Sequence, residues 1–421
     1  MLLTKLNNNG SRAAGSIFSD CDFSTPVLIL KCFEDSYIGL GIVRSLGRLG
    51  VPVYSVVNDT RAPANFSRYG KTFCFPNLTD RTSDVQLLEY LAEVADKLGR
   101  KSVLIPTTDL YARFVSRQRT ILESSFLFQK CDPDLVESLC SKQSMNELAS
   151  GHDVPTARTF VPTSMMSVHE YTKHALFPVV VKAVDCTQVN GRPSTKSVIM
   201  HSSDELINNG SFNNGGEFPN VMLQEYIGGS GTLDWMFNGY FDHQSNCLFY
   251  STGKKLRQAP IYTGYSTLGE CSANQIVYDT SVKFLRNIGY TGIVDIDYRY
   301  DPRDGLYKIL DVNPRVGATF RLFAGRYGLD VIRAMYLDIT GQKVPHDSQM
   351  EGRKWIVEDS DLRSAYEGYK NGDFNLRSYL GSFRGVREGA WMALDDPSPS
   401  IMRIWRHFSS KILEPKNYIT T

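Results

Sequence analysis

The sequence predicts an α/β protein of two or three domains, and three observations carry that prediction. Near the N-terminus, a short apolar run at Pro26 to Phe33 is followed by a helical pattern from Ile38 to Leu49 and a second run at Val53 to Val57, the order of a βαβ unit around a buried parallel strand. Phe177 to Val184 is a β-branched strand pattern interrupted by one lysine. Ile293 to Tyr300 alternates apolar and polar residues, and after Asp301-Pro-Arg-Asp-Gly305 the pattern resumes from Leu306 to Val312, which reads as a hairpin. With 421 residues, 42% of them hydrophobic and 11% aromatic, the chain can bury a core of that size.

In the opening unit, Gly39-x-Gly41 with Asp59 after the second strand invites a dinucleotide reading and with it a nucleotide-dependent oxidoreductase. The third small residue of that fingerprint is missing, since position 44 is Arg44, and close helix-strand packing explains the glycines as well. Ser67-Arg68-Tyr69, and Thr107-Thr108-Asp109 after the strand Ser102 to Pro106, place polar groups where open α/β sheets bind ligands. The Asn- and Ser-rich start up to residue 24 lacks an apolar signal core and reads as a mobile arm.

Asp132 to Val154 is helical in pattern, with Lys142 just before the segment Ser144 to Ser150; alone, Lys142 is an ordinary surface lysine. Lys182 is different. An ammonium in an apolar strand is costly unless an anion pairs with it, and a phosphate removes that cost. Asp185 to Lys196 is a long loop with one glycine, Gly191, and Lys196 at its end, either a lid or a plain turn. After an Asn/Gly-rich excursion, Val221 to Ile227 returns as a strand, and Gln224, Glu225, Tyr226 and Ile227 at its end are suited to the edge of an adenine. Gly228-Gly229-Ser-Gly231 allows a close turn, and Asp234 follows as a candidate for ribose hydroxyls. In Gly253-Lys254-Lys255-Leu256-Arg257-Gln258, strand alternation puts Lys255 and Arg257 on one side as a clamp for anions.

The hairpin holds the chemistry. If it pairs symmetrically about Asp304, Asp297 faces Asp311 with Cβ atoms roughly 5 Å apart, and Asn313 shares the face of Asp311. Like charges that close call for a proton or a cation, and oxygen ligands suit Mg²⁺; Arg315 lies just beyond, placed for phosphate. Asp297…Asp311-Val-Asn313-Pro-Arg315 resembles the acidic pair and Asn-x-Arg end of the ATP-grasp superfamily, and within it the chain looks most like the carboxylate-amine ligase group that includes D-aspartate ligase. The resemblance implies an ATP-grasp fold with a Rossmann-like pre-ATP-grasp domain and a small C-terminal extension. It also implies Asp297, Asp311 and Asn313 as ligands of Mg²⁺, two ions, with Mn²⁺ as a substitute. Lys142, Lys182, Lys196, Gln224, Glu225, Tyr226, Ile227 and Asp234 are implied for ATP, and Arg315, Arg257 and Lys255 for catalysis. Two departures stand out: aspartate replaces the more frequent glutamate at both acidic positions, and the loop 185–196 is poor in glycine.

The implied organisation is an arm at 1–24, the pre-ATP-grasp domain at 25–130, two ATP-grasp lobes at 131–345 and an extension at 346–421. The implied reaction joins a carboxylate, such as an amino acid or sugar acid, to an amine through an acyl phosphate; an ATP-binding regulatory protein without turnover is the alternative. A net charge of +1 argues against nucleic acid as a partner and is compatible with a homo-oligomer. Eight cysteines without C-x-x-C spacing favour reduced thiols and a cytoplasmic protein. No apolar run approaches the roughly 20 residues of a membrane span.

Overall fold

The computed structural model describes residues 17–30, 37–183, 198–209, 218, 221–228, 233–261, 264–372 and 375–413. Strand β1 (Val27–Leu30) is at most 1% exposed along its length, as the centre of a parallel sheet requires. Helix α1 (Tyr37–Gly47) and β2 (Val53–Val57) complete the expected βαβ unit; β3 (Gly70–Cys74), α2 (Asp84–Leu98), β4 (Ser102–Pro106), α3 (Asp109–Arg117) and β5 (Phe126–Leu127) follow. The five strands pair in parallel in the order β3-β2-β1-β4-β5. Val27 and Ile29 pack toward α1, and Leu28 and Leu30 toward α2 and α3.

Helices α4 (Pro133–Cys140) and α5 (Lys142–Gly151) lead to a four-stranded lobe. There β6 (Thr159–Phe160), α6 (Met165–Thr172), β7 (Val179–Ala183), β8 (Val198–Met200), α7 (Ser203–Ile207) and β9 (Val221–Glu225) form an antiparallel sheet in the order β6-β9-β7-β8. The larger lobe adds β10 (Asp234–Phe241), β11 (Cys247–Ala259), β12 (Tyr265–Cys271), α8 (Gln275–Asn287), β13 (Gly292–Asp301), β14 (Leu306–Asn313) and α9 (Val331–Ile339). The remaining elements are β15 (Lys354–Ile356), α10 (Glu358–Lys370), α11 (Leu376–Ser382), β16 (Val386–Gly389) and α12 (Ser398–Leu413). The large sheet runs β14-β13-β10-β11-β12-β15-β16, so residues 354–389 lengthen the edge of this sheet.

One face of that sheet, with Phe237, Val294, Ile296 and Tyr298, is buried against α4, α5 and α8. The opposite face is partly covered by α1 and the turn Phe320–Phe323. Gly41 belongs to that contact: a Cβ there would stand 2.9 Å from the Phe320 ring, so this glycine serves packing, and Asp59 is occupied by Arg61. Both oppose the dinucleotide reading. Residues 17–24, expected within a mobile arm, are packed: Phe18 is 5% exposed beneath Arg333, and Phe23 stacks on Tyr336. Among the described residues no helix is long and apolar enough to cross a membrane, and Cys21, Cys74, Cys131, Cys140, Cys247 and Cys271 are free thiols.

Candidate active site

The expected register is present where it matters. Asp297 pairs directly with Asp311, and Asp295 with Asn313. A bulge after Asp297 then moves Tyr298 opposite Ile309, so the two acids are centred on Asp304 while the turn itself is not. The polar side of this strand is not solvated: Asp295 is 8% and Arg299 5% exposed. Across β10 and β11 it forms rungs, with Asp234 beside Arg299, then Gly253, Met236, Asp297 and Asp311, then Ser251, Asn238, Asp295 and Asn313.

A cavity between the two lobes is lined by Lys142, Lys182, Gln224, Tyr226, Ile227 and Asp234, together with Lys255, Gln258, Asp297, Arg299 and Asp311. Ser141 caps α5 by accepting from Ser144 N–H, which sets Lys142 in the first helical turn rather than before it. Lys182 Nζ donates to Gln224 Oε1 at 2.6 Å. Neither Lys142 nor Lys182 has an ion-pair partner among the described residues. Burial, with Lys142 adding repulsion, lowers the Lys182 ammonium to about 8. Burial pushes the Asp311 carboxyl up, and nearby Lys142 only partly offsets this while Asp297 reinforces it. Lys255 Nζ lies 2.8 Å from Asp297 Oδ2; burial opposes its charge, but Asp297 and Asp234 more than compensate and its pKa rises.

Asp234 is 3% exposed, 3.4 Å from Arg299 Nη1 and hydrogen-bonded to the Gln258 amide, which settles against a solvent-facing strand residue. Glu225 is committed elsewhere. Its carboxylate accepts from Arg158 N–H at 3.0 Å and pairs with Lys308 and Arg303, each at 3.1 Å, so any adenine contact there falls to the backbone. Lys196, Gly229, Gly231 and the loop 185–196 lie outside the described residues.

Arg257 requires a correction. The β11–β12 register shifts on both sides of Arg257, which breaks the alternation that put it beside Lys255. Its guanidinium instead makes two bonds of 2.8 Å to the buried Asp361 and one of 2.7 Å to Ser382 Oγ. Arg315 and Asn313 stand beside the acidic pair and are not among the residues that line the cavity: Arg315 Nε is 2.6 Å from Asp109 Oδ1 and Nη2 2.9 Å from Asn313 Oδ1.

Sequence reasoning missed Arg299 and Gln258, which line the cavity, and the buried Asp295 one rung from Asp297. Arg299 and Asp295 share the face of Asp297, so alternation held their signal; Gln258 was hidden by the bulge. Asp295 is pushed up to about 7 by burial and by Asp297, and Asn238 Nδ2 donates to it at 3.3 Å.

Among the described residues no three His, Cys, Asp or Glu side chains converge as a self-sufficient metal site. Asp311 with no cation paired to it, facing Asp297, fits a hard divalent cation whose remaining ligands are water and phosphate oxygens.

The model of the carbamoyl-phosphate synthase L chain, ATP binding domain, matches residues 243–345, from just after β10 to just past α9. D-aspartate ligase of Enterococcus faecium (strain Aus0004) is 27% identical over 305 residues, covering 70% of this chain and 72% of that one. The L-amino acid ligase of Bacillus licheniformis superposes with a TM-score of 0.56 at 12% identity, covering 75% of this chain and 74% of the other. N5-carboxyaminoimidazole synthetase of Staphylococcus aureus, complexed with ADP, superposes with a TM-score of 0.60 at 11% identity, covering 79% and 81%. A parallel first sheet, two lobes built on mainly antiparallel sheets and a polar cavity between them accord with these likenesses: the chain has the ATP-grasp fold and is similar to the ATP-grasp carboxylate-amine ligases.

Proposed function

We propose that the protein is an ATP-dependent ligase that joins a small-molecule carboxylate to an amine through an acyl phosphate, releasing ADP and phosphate. The observation that carries this reading is one cavity in which Lys142 and Lys182, two ammonium groups without ion-pair partners among the described residues, face the opposed Asp297 and Asp311. That charge pattern is the complement of a triphosphate with its divalent metal. The 27% identity to a D-aspartate ligase supports an amino acid as one substrate, and reduced cysteines support a cytoplasmic location.

In this reading Ile227 and Tyr226 flank the base, Asp234 holds the ribose, and Lys142 and Lys182 bind phosphate oxygens. Asp297, Asp311 and Asn313 would hold Mg²⁺, which when bound supplies charge neutralisation on the transferring phosphoryl group. Lys255 holds Asp297 in place. The substrate carboxylate attacks the γ-phosphorus in line, and Arg315, which keeps two N–H groups beyond its three hydrogen bonds, supplies positive charge beside the acidic pair as charge develops. The amine then adds to the acyl carbonyl, and phosphate leaves. Amine-dependent ADP release, assayed over a panel of amino acids and sugar acids with product masses read by mass spectrometry, tests the proposal. ATP binding without amine-dependent ADP release for any pair would favour a regulatory ATP-binding protein.

A further inference from the structure

Helix α10 is amphipathic in reverse. Its inner face is small and polar: Asp361 pairs with Arg257, Ser364 Oγ donates to Gln258 O at 2.6 Å, and Ala365 and Gly368 are buried beside them. Its outer face carries Leu362, Tyr366 and Tyr369, exposed by 60–64% at helical spacing. The same inversion recurs in α12. Arg403 turns inward, 2.6 Å from Asp359 and 4.2 Å over the Trp391 ring, while Ile401, Ile404 and Trp405 are 58–62% exposed. Two ties link the three helices that carry these side chains. Arg403 fastens α12 to the first turn of α10, and Arg257 joins α10 to α11 through Ser382, where Leu376 and Leu380 are 66% and 61% exposed. Large apolar side chains left outward on three adjoining helices mark an interaction surface.

Charge identifies the partner. Most of the acids of this segment are spent internally: Asp361 on Arg257, Asp359 on Arg403, Glu388 on Arg48, Arg321 and Arg353, Asp395 on Arg48, Asp396 on Arg44, and Glu358 on backbone N–H groups of Trp391 and Met392, while Glu367 is half-buried with no ion-pair partner among the described residues. Arg363, Lys370, Arg377, Arg384 and Arg387 are exposed with no carboxylate in ion-pair range among the described residues. The outward surface is therefore apolar and cationic although the segment's acids are numerous. A second copy docked through the same patch would set these cations against one another. An anionic lipid surface complements both features, with Trp and Tyr at headgroup level and Arg and Lys on acidic headgroups. We propose that the outer faces of α10, α11 and α12 dock the protein peripherally on an anionic membrane surface.

The test is co-sedimentation with vesicles of phosphatidylcholine alone and of phosphatidylcholine mixed with phosphatidylglycerol, alongside intrinsic fluorescence. Trp235, Trp355 and Trp391 are at most 8% exposed and Trp405 is 62% exposed, so a blue shift on adding vesicles reports Trp405, and Trp405→Phe should abolish it. Pelleting with the anionic vesicles, reversed by salt, is expected. In the double variant Tyr366→Glu, Ile404→Glu, partitioning should fall by about tenfold or more while binding of an ATP analogue stays unchanged, which shows that the variant is folded. Three results overturn the proposal: no partitioning onto anionic vesicles, equal partitioning onto neutral ones, or a concentration-dependent dimer in solution that the double variant abolishes.

Discussion

Arg315 Nε lies 2.6 Å from Asp109 Oδ1, an ion pair between the end of the acidic hairpin and the first turn of α3 in the first sheet's domain. Thr108 caps that turn by accepting from Tyr111 N–H, so Asp109 is held by a helix start. Nη1 donates to Val316 O and Nη2 to Asn313 Oδ1, which fixes the guanidinium from three sides. Burial opposes its charge, but Asp109 and Asp295 together raise its pKa further.

The first prediction follows from that contact. Asp109→Ala should lower kcat by about 10- to 100-fold, the scale of one hydrogen bond to a charged group, with KM for ATP little changed because the nucleotide cations lie elsewhere. Asp109→Asn, which keeps an acceptor, should recover part of the loss. Steady-state kinetics check this, and a rise in ATP KM at constant kcat would show that Asp109 serves nucleotide binding instead.

Lys182 gives a pH-dependent prediction. Its pKa of about 8 in the ligand-free protein lies below the value near 10.4 of an unfolded chain. The unfolded state thus binds more protons between those values, and this group's destabilising contribution, full below pH 8, fades as pH rises toward 10. A bound phosphate favours the ammonium, so an ATP analogue should bind with proton uptake near pH 8 and more weakly above it. Calorimetry in buffers of different ionisation enthalpy reads the uptake, and Lys182→Ala should bind more weakly with no uptake.

Asp311→Asn separates metal binding from structure. The Asp311 pKa is raised by burial, so its charge opposes folding at neutral pH, and the asparagine should leave Tm equal or higher. Turnover should nevertheless fall by orders of magnitude, because a ligand charge is lost from the phosphoryl site. Full activity at ordinary Mg²⁺ would remove Asp311 from the metal.

How much of this was legible in the sequence depended on range. Strands β2 and β4 follow local pattern, and so does the pairing of Asp297 with Asp311, because hydrophobic periodicity and turn residues act over a few positions. Arg257 was misplaced by a bulge that no alternation rule anticipates. Asp109 was visible as a polar residue after a strand, yet its meeting with Arg315, 206 positions away, depends on how two domains dock. Glu225 stands at the expected strand end, but Arg303 from the hairpin turn and Lys308 from β14 claim its carboxylate, a tertiary contact with no local signature.

Arg257 yields a stability prediction. It is 9% exposed against an Asp361 that is fully buried, and removing one partner of such a pair typically costs about 3–5 kcal/mol. Arg257→Ala should lower Tm by several degrees while Lys255→Ala, at the cavity, should chiefly lower turnover. Unchanged Tm with lost turnover for Arg257→Ala would return this residue to the active site.

The last prediction concerns the path of the phosphate. Among the described residues no cysteine lines the cavity: its polar lining carries ammonium, guanidinium, carboxylate, amide and phenol groups, none arranged as a nucleophile with an adjacent base. The phosphoryl group should therefore pass to the substrate carboxylate and not to the protein. A carboxylate labelled with ¹⁸O then keeps one labelled oxygen in the amide and gives the other to inorganic phosphate, because the carboxylate oxygen that attacks phosphorus departs with it when the amine adds. ADP should appear in equal amount with the amide. Phosphate without label during productive turnover, or AMP and pyrophosphate in place of ADP, would show that the carboxylate is activated by another route.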